Sequence, residues 1–589
     1  MAEADPRWGA VAAELTWATP PTSVHRPDEP HGRWFADGTL NAAVNCVERH
    51  VSDRPAIYWE GEPGDRRVLT YRQLADEVRA LAAALRSLDV GPGDRVALHL
   101  GWLPEAVVAM LACARIGAPF SLIPIPLPVE ALAERLSSLA PRVLLTQDGA
   151  WRHGAIIPTK SRVDDALTAA AGVEHTIVVR RTGLDVAWYE GDRWLHDLLA
   201  PARVPTDPQP APALPADHPL VLSWLANRRG RPVLATHGTA TLLASAVAVH
   251  RFGIGSAGVF WCAGDIGWMG AYVHGVLGPL ACGDTTVMFE GTLDVPNHRR
   301  LWDIIERYRV GTLLTTPSVL TRVREWTAAD SPSEPARRSL RRVVAMAEPL
   351  DPDLRAWLVD RVTGDERMVA DAWGQIELGA IVTVDAPADP QRLPDPGLAV
   401  VDDAGAPVPA GTPGELVLRR PWAGTLSSID GEIGYDHFGR RPGVYSTGDQ
   451  AVRHPDGRLE FLGRIDPVVS VSGQLVSLAE IRDVLLEHPF LRAAEVVAVT
   501  DPRLSRRIIA CVVVAPDVAA GPDLAAELVG TVRETLGGLA RPRSVLFVDR
   551  FGAELSDEAR RRALQIVAAT ATGPCARIGW SQVLAASRL

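Results

Sequence analysis

Helix-like and strand-like patterns alternate along the chain from about residue 69 onward. Thr70 and Gln73 form a T-x-x-Q capping signature ahead of an amphipathic run. A Gly-Pro-Gly turn at 91–93 then leads into an apolar strand pattern at 95–100, and further helices and strands follow. Alternation of this kind is typical of parallel strands joined by crossover helices. The sequence therefore predicts an α/β fold with doubly wound sheets.

A proline-rich stretch and a later change of pattern divide the chain. Residues 201–219 carry seven prolines, which fit neither a central strand nor a helix interior, so we expect a surface connection between subdomains there. After Asp466 the pattern becomes that of a compact α/β unit. We predict a large N-terminal domain of several subdomains at 1–465, a small mobile C-terminal domain at 466–589, and a hinge at Asp466.

Composition excludes several classes of partner. The formal net charge of -11 and the lack of a basic tract argue against binding to nucleic acid or anionic membranes. The N-terminus has no basic start followed by an apolar segment, which predicts a cytoplasmic protein without a membrane partner. The 6 cysteines include no C-x-x-C pair, so we expect neither a zinc knuckle nor a disulfide framework. Of the 60 basic residues only Lys160 is a lysine, so arginine is expected wherever a basic side chain is needed.

Four stretches carry a resemblance to a known family. Residues 261–291 read WCAGDIGWMGAYVHGVLGPLACGDTTVMFEG, and the other stretches are LNAAVNCVERH at 40–50, EAVVAMLACARIGA at 105–118, and YSTGD at 445–449 with GRLEFLGRID after it. They resemble acetyl-CoA synthetases, a branch of the adenylate-forming enzymes, over essentially the whole chain. In that family an acid and ATP give an acyl-adenylate and pyrophosphate; the small domain then swings, and the CoA thiolate displaces AMP.

The resemblance implies a pocket for AMP or an acyl-adenylate. Glu348 and Pro349 match the turn that contacts adenine, and Asp449 matches the aspartate that binds both ribose hydroxyls, a role suited to two acceptor oxygens. Arg464 matches a second ribose or phosphate contact, and Asp371 matches the acid of the D-x-W-x-Q-x-E motif. The alternative is that these are inherited turn and capping residues that packing alone retains.

The phosphate side departs from the family pattern. The family's loop uses glycines that let backbone N–H groups approach the phosphates. The aligned stretch is 223–232, where Leu225 and Arg228 replace glycines and Trp224 replaces a small hydroxyl residue. Three arginines of this stretch either attract an anion or form a solvated basic loop: Arg228, Arg229 and Arg231.

Two further positions decide the expected chemistry. Glu377 is kept where the family holds Mg²⁺, whereas Ile376 replaces a threonine that donates to the α-phosphate. Glu558 stands at the place of the lysine that stabilises the transferring phosphoryl group. One such donor contributes about 3–4 kcal/mol at the transition state, and an anion adds repulsion to that loss. The sequence therefore predicts impaired adenylation and argues against productive use of MgATP.

The CoA side is partly kept. Arg152 and Arg533 align with arginines that contact the CoA nucleotide, while a third basic position is Ala155. Gly473 matches the glycine beside which the pantetheine thiol passes, and Leu475 replaces an arginine that approaches the ATP phosphates. The resemblance thus implies an incomplete CoA site; in an arginine-rich chain, chance retention is the alternative.

The acyl pocket also changes. Gly374 replaces the tryptophan that closes the family's pocket around acetate, which predicts extra room. Met269, Gly270 and Met346 replace neighbouring pocket residues beside Trp268, and methionine adapts to irregular ligands. We expect an acid larger than acetate; repacking of a core without catalytic constraint is the alternative.

Three functions remain open from the sequence. The leading hypothesis is an acyl-CoA synthetase relative that binds an acyl-adenylate or CoA thioester, takes a small-molecule acyl substrate, and is impaired in ATP-dependent activation. The second is a non-catalytic paralogue that acts as a scaffold or regulator of a partner enzyme. The third is a working ligase with compensating residues. No nucleotide-binding G-x-x-x-x-G-K-[ST], H-E-x-x-H or G-x-S-x-G motif points to other chemistry.

Overall fold

A computed structural model gives the structure of the protein. It describes residues 3–27, 32–200, 209–227, 230–255, 258–327, 334–429, 441, 443–465, 467–471, 474–501, 505–571 and 573–588. The chain forms two compact units. The first comprises Met1–Ile125, Leu132–Trp224 and Leu234–Leu462, and the second comprises Pro126–Ala131, Leu225–Val233 and Gly463–Leu589. The predicted hinge residue, Asp466, lies outside the described residues.

Two eight-stranded sheets with mainly parallel strands form the framework. In spatial order, the first sheet contains Asp192–Trp194, His175–Val179, Val143–Gln147, Val96–Leu98, Phe120–Leu122, Pro219–Asn227, Gly230–Gly238 and Ser428–Ile429. The second sheet contains Ala380–Val384, Val369–Gln375, Arg342–Met346, Val310–Thr315, Val259–Cys262, Thr286–Phe289, Pro55–Glu60 and Arg66–Thr70. Helices connect the parallel strands, which confirms the predicted α/β class with doubly wound sheets.

The helices of the first unit cover the sheets with apolar faces. They are Trp8–Ala13, Ala42–Cys46, Tyr71–Ser87, Pro104–Ile116, Val129–Leu139, Thr159–Leu167, Leu195–Leu198, Thr239–Ala248, Met269–Tyr272, Gly278–Ala281, Arg300–Tyr308, Pro317–Thr327, Glu334–Ser339 and Pro352–Leu358. Short 3₁₀ turns span Glu48–His50, Glu366–Met368 and Ile376–Leu378, and π-helical turns span Val249–Ile254, Val273–Leu277 and Val359–Thr363. The helix Pro104–Ile116 is buried along nearly its whole length, as an interior helix between layers must be.

The capping signature at Thr70 shows how the sequence sets a helix start. The hydroxyl of Thr70 accepts a hydrogen bond from the Gln73 amide at 3.2 Å, and the Gln73 side chain accepts one from the Thr70 amide at 2.9 Å. This reciprocal pair satisfies two backbone donors that a helix N-terminus leaves open. Leu74, Val78 and Leu81 then form the buried face of the helix. The helix ends at Ser87, before the Gly-Pro-Gly turn.

Smaller sheets complete the first unit. Leu398–Val401, Pro413–Leu418, Tyr445–Arg453 and Leu459–Arg464 form a four-stranded sheet in that order. Three two-stranded pairs join His25–Arg26 to Arg33–Trp34, Thr39–Leu40 to Leu214–Pro215, and Ala150–Arg152 to Ala155–Ile157. The strand Tyr445–Arg453 carries the YSTGD motif, so this sheet brings Asp449 into the structure.

The second unit has its own apolar core. Leu491–Asp501, Ser505–Val514, Ser544–Val548 and Cys575–Ile578 form a four-stranded sheet, and Val468–Val471 pairs with Gln474–Ser477. Its helices are Leu478–Leu486, Pro522–Leu536, Asp557–Thr570 and Trp580–Ala586. Ser477 caps the first of these helices by accepting from the Glu480 amide at 3.2 Å.

Two observations concern the chain as a whole. Within the part of the chain that the structure describes, none of the helices combines the length and apolar character needed to cross a bilayer. Lys160, the single lysine, is fully buried, and its ammonium donates to Asp164 at 2.5 Å and to Asp192 at 2.8 Å. This lysine therefore serves the fold in the first unit, because both of its carboxylate partners hold it in place.

Candidate functional site

Three of the predicted residues, Trp268, Glu348 and Glu377, follow strands of the second large sheet. The strands Val259–Cys262, Val310–Thr315, Arg342–Met346 and Val369–Gln375 are parallel neighbours. The chain leaves them, in the same order, toward Trp268, Ser318, Glu348 and Glu377. In open α/β sheets, ligands bind outside the carboxyl ends of such strands. The fold thus places residues from four distant stretches of sequence where a ligand can meet them.

Asp449 lies at the centre of a hydrogen-bonded cluster. Its Oδ2 accepts from the indole Nε1 of Trp373 at 2.8 Å and from the Nε2 of Gln375 at 3.1 Å. Its own amide donates to the hydroxyl of Thr447 at 3.0 Å. Asp449 is only 8% exposed. Two fixed donors hold the carboxylate in a single orientation, which is what a bidentate contact to a diol requires.

The same cluster joins two motifs that are far apart in sequence. Gln375 Nε2 also donates to the carbonyl oxygen of Thr447 at 2.9 Å, and the hydroxyl of Tyr445 donates to Gln375 Oε1 at 3.1 Å. The ring of Trp373 stacks on Phe461 with centroids 5.6 Å apart and an interplanar angle of 11°. The D-x-W-x-Q stretch and the YSTGD stretch are therefore interlocked, and a change on either strand affects the other.

Glu348 lies in a turn whose backbone has an uncommon conformation. Ala347 has a φ of 73°, in the left-handed region that favours glycine, and glycine is what the family has at this position. The Glu348 carboxylate accepts from the amide of Ser318 at 3.0 Å and from its hydroxyl at 3.3 Å. A carboxylate at the start of the helix Pro317–Thr327 is also favoured by the helix dipole. Pro349, next to it, is exposed.

Burial of the Asp371 side chain favours the protonated, uncharged form of its carboxyl group. Burial raises its pKa to about 7, and the neighbouring Asp385 adds to the rise, while the amide of Leu350 opposes it. That amide donates to Asp371 Oδ2 at 3.3 Å, across the gap between the adjacent strands. Asp371 therefore links the strand of the D-x-W-x-Q motif to the turn that carries Glu348.

Glu377 occupies a short 3₁₀ turn beside a buried histidine. Glu377 is 6% exposed and His237 is 1% exposed. Burial lowers the pKa of His237 to about 4, and the negative charge of Glu377 opposes that shift, so the imidazole is neutral near pH 7. Among the described residues, no group of three or more histidine, cysteine, aspartate or glutamate side chains is placed to hold a metal ion. Glu377 would offer Mg²⁺ a carboxylate here, and phosphate and water oxygens would complete the shell, as is usual for this ion.

The stretch aligned with the phosphate loop forms the ends of two strands, Pro219–Asn227 and Gly230–Gly238. The guanidinium of Arg135 lies 4.5 Å from the centroid of the Trp224 ring. Among the described residues, neither Ser223 Oγ nor Trp224 Nε1 has a hydrogen-bond partner. Leu225 is buried. Arg228 and Arg229 lie outside the described residues.

Gly374 does not create the predicted space. A β-carbon at this position would overlap the carbonyl oxygen of Ala380 and would lie 2.7 Å from the Cα of Ile381. The pairing of strands Val369–Gln375 and Ala380–Val384 shifts register between Trp373 and Gly374, which brings the two backbones together. The prediction that this glycine opens room in the acyl pocket is therefore wrong, because the neighbouring strand fills the volume that a side chain would occupy.

Trp268 fills the space at Gly270. A β-carbon on Gly270 would lie 2.8 Å from Cζ2 of the Trp268 ring and 3.1 Å from the methyl carbon of Met346. Met269 and Met346 are 2% and 3% exposed. These four residues therefore form one closely packed corner at the carboxyl edge of the sheet.

Three family models match successive parts of the chain. Residues 44–425 match the family model for AMP-binding enzymes, residues 3–46 match that for the acetyl-coenzyme A synthetase N-terminus, and residues 480–554 match that for the AMP-binding enzyme C-terminal domain. The chain belongs to the AMP-binding enzyme family.

Relatives place it in the acetyl-CoA synthetase branch of the family. Acetyl-coenzyme A synthetase of Streptomyces coelicolor is 39% identical over 581 residues, which cover 95% of this chain and 89% of the relative. That of Mycobacterium bovis is 38% identical over 593 residues, with 95% and 90% covered. That of Deinococcus radiodurans is 34% identical over 584 residues, with 96% and 89% covered.

The CoA-side positions of this AMP-binding enzyme fall in both units. In the first unit Arg152 pairs with Asp265 at 3.4 Å, and Ala155 is exposed. In the second unit Arg533 is exposed, with its guanidinium 3.9 Å from the Glu534 carboxylate. Leu475 of the second unit is half-buried, as is Arg464 at the end of the strand Leu459–Arg464.

Two predicted positions cannot be placed in the geometry. Gly473 lies outside the described residues. Glu558 lies in the helix Asp557–Thr570, but its side chain is outside the described part of the structure. The CoA and lysine-position predictions for these residues stay predictions.

Sequence reasoning missed the residues that orient the nucleoside-side acids. Trp373 and Gln375 hold Asp449, and Ser318 holds Glu348, while the charge of Glu377, the candidate Mg²⁺ ligand, acts on His237. The spacing of Trp373 and Gln375 in the sequence gives a partial indication of their shared role. Trp373 and Gln375 alternate along a strand, so that their side chains share a face. No local pattern marks His237 or Ser318, because their partners are distant in sequence.

Proposed function

We propose that the protein is an AMP-forming acyl-CoA synthetase relative that binds an acyl-adenylate and a CoA thioester but is impaired in ATP-dependent adenylation. The observation that carries the proposal is the Asp449 cluster. Trp373 and Gln375 both donate to Oδ2 of Asp449, so the orientation of this buried carboxylate is fixed. A preoriented acid of this kind suits the two hydroxyls of a ribose better than an acid that moves freely.

Impairment of adenylation rests on the phosphate side. Leu225 and the ring of Trp224 take the place of glycine and a small hydroxyl residue, so fewer backbone N–H groups can face a triphosphate. Glu558 adds negative charge where the family places a lysine. Glu377 would hold Mg²⁺, and the ion would neutralise phosphate charge when bound. Activation from ATP should therefore be slow, while binding of a preformed adenylate should be kept.

The size of the acid is a separate part of the proposal. An acid larger than acetate was expected from Gly374, Met269 and Met346, and Gly374 no longer supports it. The two methionines still do, because unbranched thioether side chains adapt their shape to a ligand. A comparison of acids of increasing length tests this point independently of ATP use.

A scaffold or regulator of a partner enzyme is the second candidate. It is favoured by Trp224, whose ring lies under Arg135 and contributes to packing in place of phosphate binding. The Asp449 cluster speaks against it, because packing alone does not need a buried carboxylate held by two donors. A working ligase with compensating residues is the third candidate.

Calorimetry with three probes tests the leading proposal. Purified protein should bind AMP, a nonhydrolysable acyl-adenylate analogue, and CoA. Asp449→Ala should weaken binding of the first two by at least about 100-fold. Absence of binding to all three by the wild-type protein would overturn the proposal and favour the scaffold, whose biological effect should survive Asp449→Ala.

A pyrophosphate-release assay separates the first and third candidates. The assay is run with MgATP and a panel of acids from acetate to octanoate. Release at rates typical of enzymes, on the order of 1–10³ per second, would establish a working ligase. Release slower by a factor of about 10² or more is expected here, in line with the loss of one preorganised donor.

A further inference from the structure

A tight hairpin carries Arg152. Residues 150–157 form two antiparallel strands in which Arg152 lies opposite Ala155. The two residues between them, His153 and Gly154, have φ angles of 52° and 74°. Positive φ at both central residues is characteristic of a type I′ turn, whose twist matches that of the paired strands. The hairpin therefore turns on two residues, immediately after Arg152.

Both backbone amides of this turn are bound by a buried acid and its neighbour. The Gly154 amide donates to Oε1 of Glu62 at 2.7 Å, and the His153 amide donates to the Thr292 hydroxyl at 3.2 Å. Thr292 donates in turn to Oε2 of Glu62, from its amide at 2.7 Å and from its hydroxyl at 3.1 Å. Glu62 is 3% exposed. Hydrogen bonds to a carboxylate are strong, and linked hydrogen bonds inside a protein reinforce one another. One carboxylate therefore fixes the tip of the hairpin.

A glycine lets this acid approach the chain that carries Thr292. Gly291 has a φ of 112°, and a β-carbon there would lie 2.4 Å from the β-carbon of Glu62. Any side chain at this position would push the two segments apart. Glu62, Gly291 and Thr292 together are called the clamp below. The His153 ring adds a contact outside the clamp, with Nδ1 3.0 Å from Oδ2 of Asp294.

The side chain of Arg152 is held separately from its backbone. Its Nη1 lies 3.4 Å from Oδ2 of Asp265, and the side chain is 36% exposed, so an anionic ligand can reach it. The other oxygen of Asp265 accepts from the Gly267 amide at 3.0 Å, which fixes the acid in turn. A long side chain that is already held in place loses less conformational entropy when it binds a ligand. The clamp thus sets where Arg152 starts, and Asp265 sets where it points.

We propose that Glu62 is a positioning residue for CoA, which holds Arg152 in register with the CoA nucleotide by clamping the amides of the adjoining turn. The inference rests on the proposed function, because it takes Arg152 as a contact of bound CoA. Glu62 acts through the hairpin, since both of its oxygens accept from the turn and from Thr292. Loss of the clamp leaves the two turn amides without these acceptors and frees the hairpin to shift. Affinity for CoA should then fall, while affinity for AMP, which depends on Asp449, should not.

The test measures dissociation constants for CoA and for AMP by calorimetry on the full-length protein. Arg152→Ala should weaken CoA binding by about tenfold or more, the value of a hydrogen bond to a charged group. Glu62→Ala should weaken it by about fivefold, because Arg152 is displaced but still present. Combining the two changes should cost no more than Arg152→Ala alone, since Glu62 acts through Arg152. Glu62→Gln, which keeps the size and one acceptor oxygen, should lie between wild type and Glu62→Ala.

A second buried acid provides the matched control. Asp5 is also 3% exposed and accepts from Arg7 and from the Asp395 amide, outside the hairpin. Asp5→Ala should lower the melting temperature, as Glu62→Ala should, but should bind CoA as wild type does. Thermal melting checks that each variant is folded, and Glu62→Gln carries the test if Glu62→Ala is unstable.

The opposing outcomes separate this inference from the proposed function. Equal losses of CoA and AMP affinity in the Glu62 variants would mean a general structural role and would overturn the inference. So would a loss in Glu62→Ala that adds in full to that of Arg152→Ala, or unchanged CoA binding in Arg152→Ala or in both Glu62 variants. Failure of the wild-type protein to bind CoA would instead overturn the CoA part of the proposed function, and this inference with it.

Discussion

The residues proposed to bind the nucleoside and those proposed to lie near the phosphates have different surroundings in the structure. Around Asp449, polar side chains from two strands hold one another through hydrogen bonds of 2.8–3.1 Å. Around Trp224, two buried polar atoms have no hydrogen-bond partner among the described residues, and the ring is covered by Arg135. Buried polar groups are costly unless they are paired.

This difference suggests that the protein can keep a binding site for the nucleotide without keeping the ATP-dependent reaction. A paired network such as that of Asp449 is consistent with continuing use of the nucleoside pocket. The strands Pro219–Asn227 and Gly230–Gly238 carry Trp224 and Leu225 in place of a small hydroxyl residue and a glycine, so we propose that this stretch no longer faces a charged ligand. Binding of the monophosphate and use of the triphosphate can therefore differ in this protein, and each can be disturbed separately.

The largest effect is expected from Asp449→Ala. Each hydrogen bond to a charged group contributes about 1.5–3 kcal/mol, so loss of two ribose contacts should weaken AMP binding by at least about 100-fold. Calorimetry measures the change. Asp456→Ala, at an exposed turn after the same strand, is the control and should bind AMP as wild type does. Unchanged AMP binding in Asp449→Ala would place the nucleotide elsewhere.

The phosphate side is tested by gain of activity in Glu558→Lys. Replacing the negative side chain with the family's lysine should raise acid-dependent pyrophosphate release by about 10- to 100-fold, less than the full value of one donor because the loop glycines are still missing. Glu558→Gln removes only the repulsion and should give a smaller rise. If neither variant is faster than wild type, Glu558 is not at the position of the lysine.

Trp373→Phe tests whether the interlocked cluster positions Asp449. The variant removes one donor and keeps the aromatic stack on Phe461, so AMP binding should weaken by about fivefold, corresponding to roughly 1 kcal/mol. Trp326→Phe, a tryptophan outside the cluster, is the matched control. An effect as large as that of Asp449→Ala would mean that the cluster collapses when this one donor is lost.

The smallest effect concerns pH. Burial raises the pKa of Asp371 to about 7, above its unfolded value of 3.8, so the folded state holds this proton more tightly. Stability contributed by the protonated form should therefore fall as pH rises from about 4 to about 7 and level off above that. Asp371→Asn should lose this part of the slope and melt higher above pH 7, by on the order of 1 °C in a chain of this size. Parallel melting curves for the two proteins at pH 5 and pH 8 would contradict the assignment.

The sequence predicted the fold well where local signals repeat. The T-x-x-Q cap at Thr70 starts a helix, and the alternating patterns correspond to two sheets of mainly parallel strands. Gly374 shows the limit of such reasoning. Replacing a large residue by glycine predicts a cavity only if no other group fills the volume, and here the backbone of strand Ala380–Val384 occupies it beside a register shift. A close approach of two backbones of this kind has no signature in a single sequence.

Site residues were predictable by type but not by partner. The acids Glu348, Asp371 and Asp449 stand out in the sequence because all three match motifs. Their donors do not, because Ser318 and Trp373 reach them only after distant strands have paired. The sequence predicts that Trp268 belongs to the pocket. The spacing of the motif does not reveal that its ring packs against Gly264 and Gly270, because this contact depends on tertiary packing.

A direct comparison of AMP and MgATP on the wild-type protein tests the central claim. Calorimetry should give AMP a measurable dissociation constant and MgATP one that is no smaller, since the two extra phosphates gain no favourable contact and meet added negative charge. Tighter binding of MgATP by tenfold or more, with pyrophosphate released when an acid is added, would contradict it.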